Sequence, residues 1–273
     1  MDLIGTLYGL LSAGLDPITV LVAYWLVVDP AQQRADAEGL STDAVANAGT
    51  WLGVGALVVG RLAYAAPDWP TFVRYPLDLL RVQNGVSFYG GLVGGLIVLG
   101  WYARRGRLPL ARALDLFAPY LAVGVAAYRV GCLVRGDCFG AAAPPPFGVV
   151  FPGLTQPRYP AELYEAVLVL GLAALLFYLR ERPRVPATLG LAFLILYPLV
   201  RAGVDVARIN LNGWPTGNQV ASLAVAVVAA VLLAMRIGRG SAQSIVEFRP
   251  SNRAAFLPPE GDMRHTRHTS EGG

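Results

Sequence analysis

Apolar residues gather into seven long stretches separated by short polar segments. A helix that crosses a bilayer needs about 20 predominantly apolar residues. The stretches of that kind are Leu3–Val28, Asn47–Ala66, Val86–Ala103, Leu110–Val134, Pro160–Leu179, Ala187–Val206 and Thr216–Met235. The pattern predicts an all-α integral membrane protein with seven transmembrane helices. Asp16-Pro17 interrupts the first stretch and either kinks it or divides it into two shorter pieces. The N-terminal MDLIGTLYGL has no basic n-region, so it reads as a membrane helix and not as a cleaved signal peptide. Residues 1–238 form the predicted transmembrane domain. From about Gly240 the chain turns polar, and residues 239–273 read as a disordered cytoplasmic tail.

Orientation follows from the arginines in the short loops. Arg104, Arg105, Arg107 and Arg112 follow the third stretch, Arg180, Arg182 and Arg184 the fifth, and Arg236 and Arg239 the seventh. With seven spans all three groups lie on one side, expected to be cytoplasmic. The N-terminus is then outside and the C-terminus cytoplasmic, and Arg34 in the first loop agrees. On the opposite side, residues 141–160 run AAAPPPFGVVFPGLTQPRYP. Proline and glycine at this density exclude a helix and predict a shaped segment at the membrane surface.

Composition supports the membrane reading and removes whole chemistries. Of the 273 residues, 55% are hydrophobic and 15% charged, against about 25% charged in a soluble domain. The mean hydropathy is +0.51. All 22 basic residues are arginine. Without lysine there is no Schiff base, which excludes a retinal-binding seven-helix protein, a pyridoxal enzyme and a lysine-dependent phosphate loop. His265 and His268 lie in the polar tail, so the apolar body holds no imidazole for a metal site or a general base. Cys132 and Cys138 cannot form a zinc site alone, give no disulfide framework and read as small packing residues. The net charge of +4 rests on scattered arginines, which suits anionic lipid headgroups better than nucleic acid.

Ionisable residues within spans are costly and are functional candidates by default. Here they are Asp16, Arg61, Asp115, Arg129, Glu162, Glu165, Arg201 and Asp205. Several sit beside glycine-rich stretches. In Ser87-Phe88-Tyr89-Gly90-Gly91-Leu92-Val93-Gly94-Gly95, glycines four apart let helix backbones approach closely, but packing leaves Ser87 and Tyr89 unexplained. In Tyr128–Gly140, YRVGCLVRGDCFG, arginines and glycines close an apolar span. That is either a glycine-capped helix end or an anion site gripped by guanidinium forks. Arg201 and Asp205 share a helix face at a spacing of four and read as an ion pair. In RYPAELYE, Arg158–Glu165, Pro160 suits a first helical turn, and Glu162 and Glu165 favour its positive end.

In chain order these segments resemble the prolipoprotein diacylglyceryl transferase family. Tyr8-Gly9-Leu10 is similar to its Y-G-L, Gly60–Tyr64 to G-x-R-x-x-Y, and Ser87–Gly91 to S-F-H-G-G. Tyr128–Gly140 resembles the signature G-R-x-G-[NC]-F-x-N-G-[EC]-x-x-G, in which Cys132 matches the Asn/Cys alternative. Phe147–Pro152 resembles P-x-G-V-x-F-P, Tyr159–Glu165 H-P-x-Q-L-Y-E, Arg201–Asp205 R-F-x-x-E, and Gly217–Ser222 G-Q-x-x-S with one residue inserted. The chain departs from the family at Tyr89 and Tyr159, where the family has histidine. It departs again at Tyr128 for glycine, Arg135 for asparagine, Glu162 for glutamine and Asp205 for glutamate.

The resemblance implies a multi-pass enzyme of the bacterial plasma (inner) membrane. It would move the diacylglyceryl group of phosphatidylglycerol onto the lipobox cysteine of prolipoprotein signal peptides, forming a thioether and releasing glycerol phosphate. It implies no cofactor, no metal and no nucleic acid. Arg129 and Arg201 would stabilise the leaving phosphate, with Arg135 as a third cation, while Asp137 and Asp205 orient the guanidinium groups. A cysteine thiol has a pKa of about 8.5, so a base helps. The candidates are Tyr89, Asp137, Glu162 and Glu165; otherwise the departing phosphate takes the proton and Tyr89 only holds lipid. Tyr8, Arg61, Ser87, Gly90, Gly91, Arg135, Gly140, Glu162 and Glu165 are the implied substrate contacts. Two other readings stand beside this one. A non-catalytic lipid-binding paralogue is favoured by Tyr89 and Arg135. A transporter would have repeated halves, and no internal repeat is visible.

Overall fold

The computed structural model describes residues 3–80, 85–136, 138–144, 146–151, 153–182, 185–209 and 215–247, and side chains from residue 17 to residue 238 within them except that of Ile209. The α-helices among them are α1 (Leu3–Arg34), α2 (Thr42–Ala65), α3 (Trp69–Arg74), α4 (Phe88–Arg104), α5 (Leu110–Arg135), α6 (Ala161–Arg180), α7 (Thr188–Ile209) and α8 (Gly217–Glu247). All seven apolar stretches are helical, with short α3 added between the second and the third. Among the described residues, five segments are long and apolar enough to cross a membrane: Thr42–Arg74, Leu110–Arg135, Ala161–Arg180, Thr188–Arg208 and Gly217–Gly238. The other long helices are α1, of 32 residues, and α4, of 17. α1 continues through Pro17, so Asp16-Pro17 does not divide it. α8 continues to Glu247, past the start expected for the polar tail. Residues 248–273 lie outside the described residues.

Local chemistry sets the helix ends. Ser87 caps α4 by accepting from the Gly90 amide at 3.3 Å. Gly136, at φ +70°, ends α5 in the left-handed conformation that glycine tolerates best. Thr216 and Gln219 form a reciprocal capping box at the start of α8, at 2.9 and 3.2 Å. Asp115, buried on α5, accepts from the amides of Ala187, Leu189 and Gly190 at 2.7 to 3.0 Å. A carboxylate at the positive end of α7 needs no catalytic role to explain its burial.

Glycines bring the helices together. A Cβ on Gly94 would lie 2.1 Å from the Gly55 carbonyl oxygen, and one on Gly90 would lie 2.5 Å from Ala63 Cβ. Helices α2 and α4 therefore touch backbone to backbone. Gly131 likewise seats α5 against Thr19 of α1. One apolar core holds Leu99, Tyr102, Leu108, Leu116 and Phe117. A second holds Val169, Leu176, Leu189, Phe193 and Tyr197 between α5, α6 and α7. Leu21, Trp25, Trp51, Val167, Val227 and Val228 are exposed, an apolar exterior that suits lipid.

Between α5 and α6 the chain folds back on itself without forming a regular strand among the described residues. Gly140 donates to the Tyr159 carbonyl at 2.8 Å, Tyr159 to that of Ala141 at 3.0 Å, and Val149 and Arg158 exchange bonds of 2.9 Å. This is the shaped segment predicted from its proline and glycine content. It is tied to α7 by the Ala141 amide, which donates to the Ala207 carbonyl at 3.1 Å.

Candidate active site

Three helices converge on one buried carboxylate. Glu165, on the second turn of α6, has no exposed surface. Arg129 of α5 places its Nε 3.0 Å from Glu165 Oε1. Arg201 of α7 donates from Nη1 to both carboxylate oxygens, at 3.1 and 3.0 Å. Arg208, two turns along α7, donates from Nη2 at 3.3 Å. The Tyr197 hydroxyl donates at 2.9 Å. Tyr197, Arg201, Asp205 and Arg208 follow one another at spacings of four, four and three, so a single face of α7 carries them all.

Charge does not cancel here. Three guanidinium groups face Glu165 and Asp205, an excess of one positive charge if both carboxylates are ionised. The Nε atom of Arg201 is buried, with no hydrogen-bond acceptor set against it. Such donors are costly when nothing occupies the site. Set against these two carboxylates alone, the three guanidinium groups can take one more anion, and a phosphodiester carries one negative charge.

Tyr89 lies at the edge of this cluster. Its neighbour Phe88 packs on Tyr197 with ring centroids 4.8 Å apart. Its hydroxyl is within electrostatic reach of Arg201, Asp205 and Glu165 and makes a hydrogen bond to Ser222 of α8. Ser222 gives its one proton to the Asn218 carbonyl at 2.8 Å. Tyr89 is therefore the donor in the bond to Ser222. Its proton is committed there, and its oxygen keeps lone pairs free to accept.

The structure corrects several readings of the sequence. Arg201 and Asp205 do not answer each other as a pair: Arg201 turns to Glu165, and Asp205 faces Arg208 Nε at 3.7 Å. Glu165 is the shared counter-ion of the arginines and not a cap of α6. Gly90 and Gly91 pack against α2 on the side a Cβ would occupy. Gly140 likewise admits a close backbone approach, with a Cβ there falling 2.5 Å from the Ala207 carbonyl oxygen. Arg61 spends its guanidinium on the backbone carbonyls of Asp78, Leu79 and Gly85, which anchors the segment after α3. Ser87 is spent on capping. Arg135 donates to Thr19 Oγ1 at 3.2 Å and to Cys132 Sγ at 3.3 Å, nearly two turns along α5 from Arg129. Glu162 is fully buried in the first turn of α6. Tyr8 lies where only backbone is described, and Asp137 lies outside the described residues. Tyr197, Arg208 and Ser222 were not among the predicted site residues, although the spacing of Tyr197 and Arg208 from Arg201 was legible.

The family model of prolipoprotein diacylglyceryl transferase matches residues 6–235. The chain belongs to that family. It is 33% identical over 84% of its length to the phosphatidylglycerol–prolipoprotein diacylglyceryl transferase of Methylococcus capsulatus, covering 92% of that protein. It is 34% identical to those of Solidesulfovibrio magneticus and Oleidesulfovibrio alaskensis. The matches cover 68% and 81% of this chain, and 76% and 86% of the two relatives. The match takes in every residue of the arginine cluster.

Proposed function

We propose that this chain transfers the diacylglyceryl group of phosphatidylglycerol to the lipobox cysteine of prolipoproteins in a bacterial inner membrane. The observation that carries the proposal is the cluster of Arg129, Arg201 and Arg208 on Glu165, with one positive charge in excess. The substrate phosphodiester supplies the missing anion. The precursor's sulfur attacks the carbon of the diacylated glycerol that bears the phosphate ester. A C–S bond forms, the C–O bond breaks, and glycerol phosphate leaves with a second negative charge. Fixed guanidinium groups in a dry cavity stabilise that charge most as it develops. Glu165 holds the three forks in place so that they need not reorganise. The thiol proton goes to the departing phosphate. Tyr89 accepts a hydrogen bond from the thiol and positions it, because a relay through Ser222 ends on a backbone carbonyl.

Seven spans with the N-terminus outside, as the arginine pattern predicts, put this site toward the outer face. There a precursor emerging from export can meet it. The test is complementation. The chain should restore lipoprotein maturation in cells depleted of their own transferase, and the Arg201→Lys variant should not. Failure of the wild-type chain at normal membrane levels would instead favour a lipid-binding paralogue.

A further inference from the structure

The two cysteines are the chemistry that the transfer reaction leaves unused. Cys132 lies on the last turn of α5 and has no exposed surface. Cys138 is partly exposed, two residues beyond the Gly136 cap. Their sulfurs are 2.8 Å apart, with Cys138 donating to Cys132, and both are thiols. A disulfide bond is about 2.05 Å long, so closing the pair needs a shift of under about 1 Å. The backbone is already bent to favour this contact. Cys138 sits at φ +63°, a left-handed conformation uncommon for a residue with a Cβ. That turn brings its side chain back over the helix end. Arg135 fixes the other sulfur from the side, donating to Cys132 Sγ at 3.3 Å.

We propose that Cys132 and Cys138 are a reversible dithiol–disulfide couple that staples the turn after α5. Their unequal exposure sets the order of events. The thiolate of Cys138 attacks one sulfur of an oxidant disulfide and forms a mixed disulfide, releasing the first oxidant thiol. Cys132 then attacks the Cys138 sulfur, closing the internal bond and releasing the second. Two electrons pass to the oxidant, and the two cysteine protons end on its two thiols. An accessible thiol beside a resolving cysteine is the usual arrangement for this exchange. The orientation proposed above bears only on where the oxidant is met, since disulfides persist on the outer side of the bacterial membrane.

The full chain, purified in detergent, is incubated with oxidised glutathione at neutral pH, alkylated under denaturing conditions, digested and weighed. The expected product is the 132–138 segment lighter by two hydrogens, carrying no alkyl group and no glutathione. Reduction should return two alkylatable thiols. Cys132→Ser should stop at a glutathione adduct on Cys138, whereas Cys138→Ser should leave buried Cys132 unmodified. A persistent adduct on wild-type Cys138, a bond between two chains, or two thiols still alkylatable after oxidation would each overturn the proposal. The wild-type result decides even if a serine variant fails to fold, and it does not depend on transferase activity.

Discussion

Glu165→Gln tests the idea that one carboxylate organises the arginine cluster. Glutamine keeps the shape and one acceptor oxygen. Its amide nitrogen, however, turns donors toward Arg201 and Arg208, which now donate to the carboxylate at 3.0 and 3.3 Å. Three guanidinium groups would then face Asp205 alone, so the excess rises from one positive charge to two. Removing one partner of a buried ion pair costs about 3–5 kcal/mol, a large part of a total stability of about 5–15 kcal/mol. At about 2–4 °C per kcal/mol for a chain of this size, the variant should melt roughly 10 °C below wild type. The assay is thermal unfolding in detergent micelles with and without phosphatidylglycerol. Because the variant's site is short of negative charge, the anionic lipid should raise its Tm more than it raises that of wild type. A variant melting within about 2 °C of wild type, or gaining no more from the lipid than wild type does, would refute the counter-ion role.

Arg201→Lys should express normally and lose at least about a hundredfold in transfer rate, since an ammonium can replace the one nitrogen, Nη1, that answers both Glu165 oxygens but leaves no further guanidinium nitrogen for the phosphate; full activity would remove Arg201 from the site. Tyr89→Phe should stay within about tenfold of wild type if phosphate takes the thiol proton, whereas a loss beyond about a hundredfold would assign the proton transfer to the phenol. Gly94→Ala should lower Tm, because its Cβ would meet the Gly55 carbonyl oxygen at 2.1 Å, while Gly100→Ala, with nothing within 4 Å, should be neutral or gain up to about 1 kcal/mol; equal effects would contradict the packing of α2 on α4. Reporter fusions at Ser41, Gly106 and Gly261 should read cytoplasmic and one at Thr155 external, and a cytoplasmic reading at Thr155 would overturn the seven-span topology.

The helices were legible because apolar runs of span length are a strong and local signal. All seven stretches are helical, and the proline-rich segment between α5 and α6 is not. The arginines were legible too, since a charge inside an apolar run stands out whatever its partner. Their partners were not. Arg201 and Asp205 share a helix face, and the local spacing suggested a pair. The stronger attraction comes from Glu165, 36 residues away and on another helix. Glu165 itself read as a helix-end carboxylate, because its position near the start of α6 was visible and its burial was not. Arg61 looked like a ligand for the same reason. Its three backbone acceptors are Asp78, Leu79 and Gly85, and no residue type marks a carbonyl as an acceptor. The glycines around Gly90 read both as packing residues and as implied substrate contacts, and the approach of α2 shows the packing. Cys132 and Cys138 are too few for a framework, so the sequence argued against a bond that the turn at Gly136 makes geometrically ready.

The most direct test of the proposed function is transfer by the purified chain itself. Phosphatidylglycerol labelled in its acyl chains is mixed with a lipobox peptide and the protein in one micelle preparation, and the peptide is followed by mass spectrometry. The cluster on Glu165 predicts a peptide heavier by one diacylglyceryl group, attached through its cysteine sulfur, with one glycerol phosphate released for each. Both products should be absent for Arg201→Lys and for a peptide with serine in place of the cysteine. A wild-type rate equal to that of the protein-free control, with the protein shown to be folded and bound to phosphatidylglycerol, would contradict the enzyme and leave a lipid-binding protein built on the same fold.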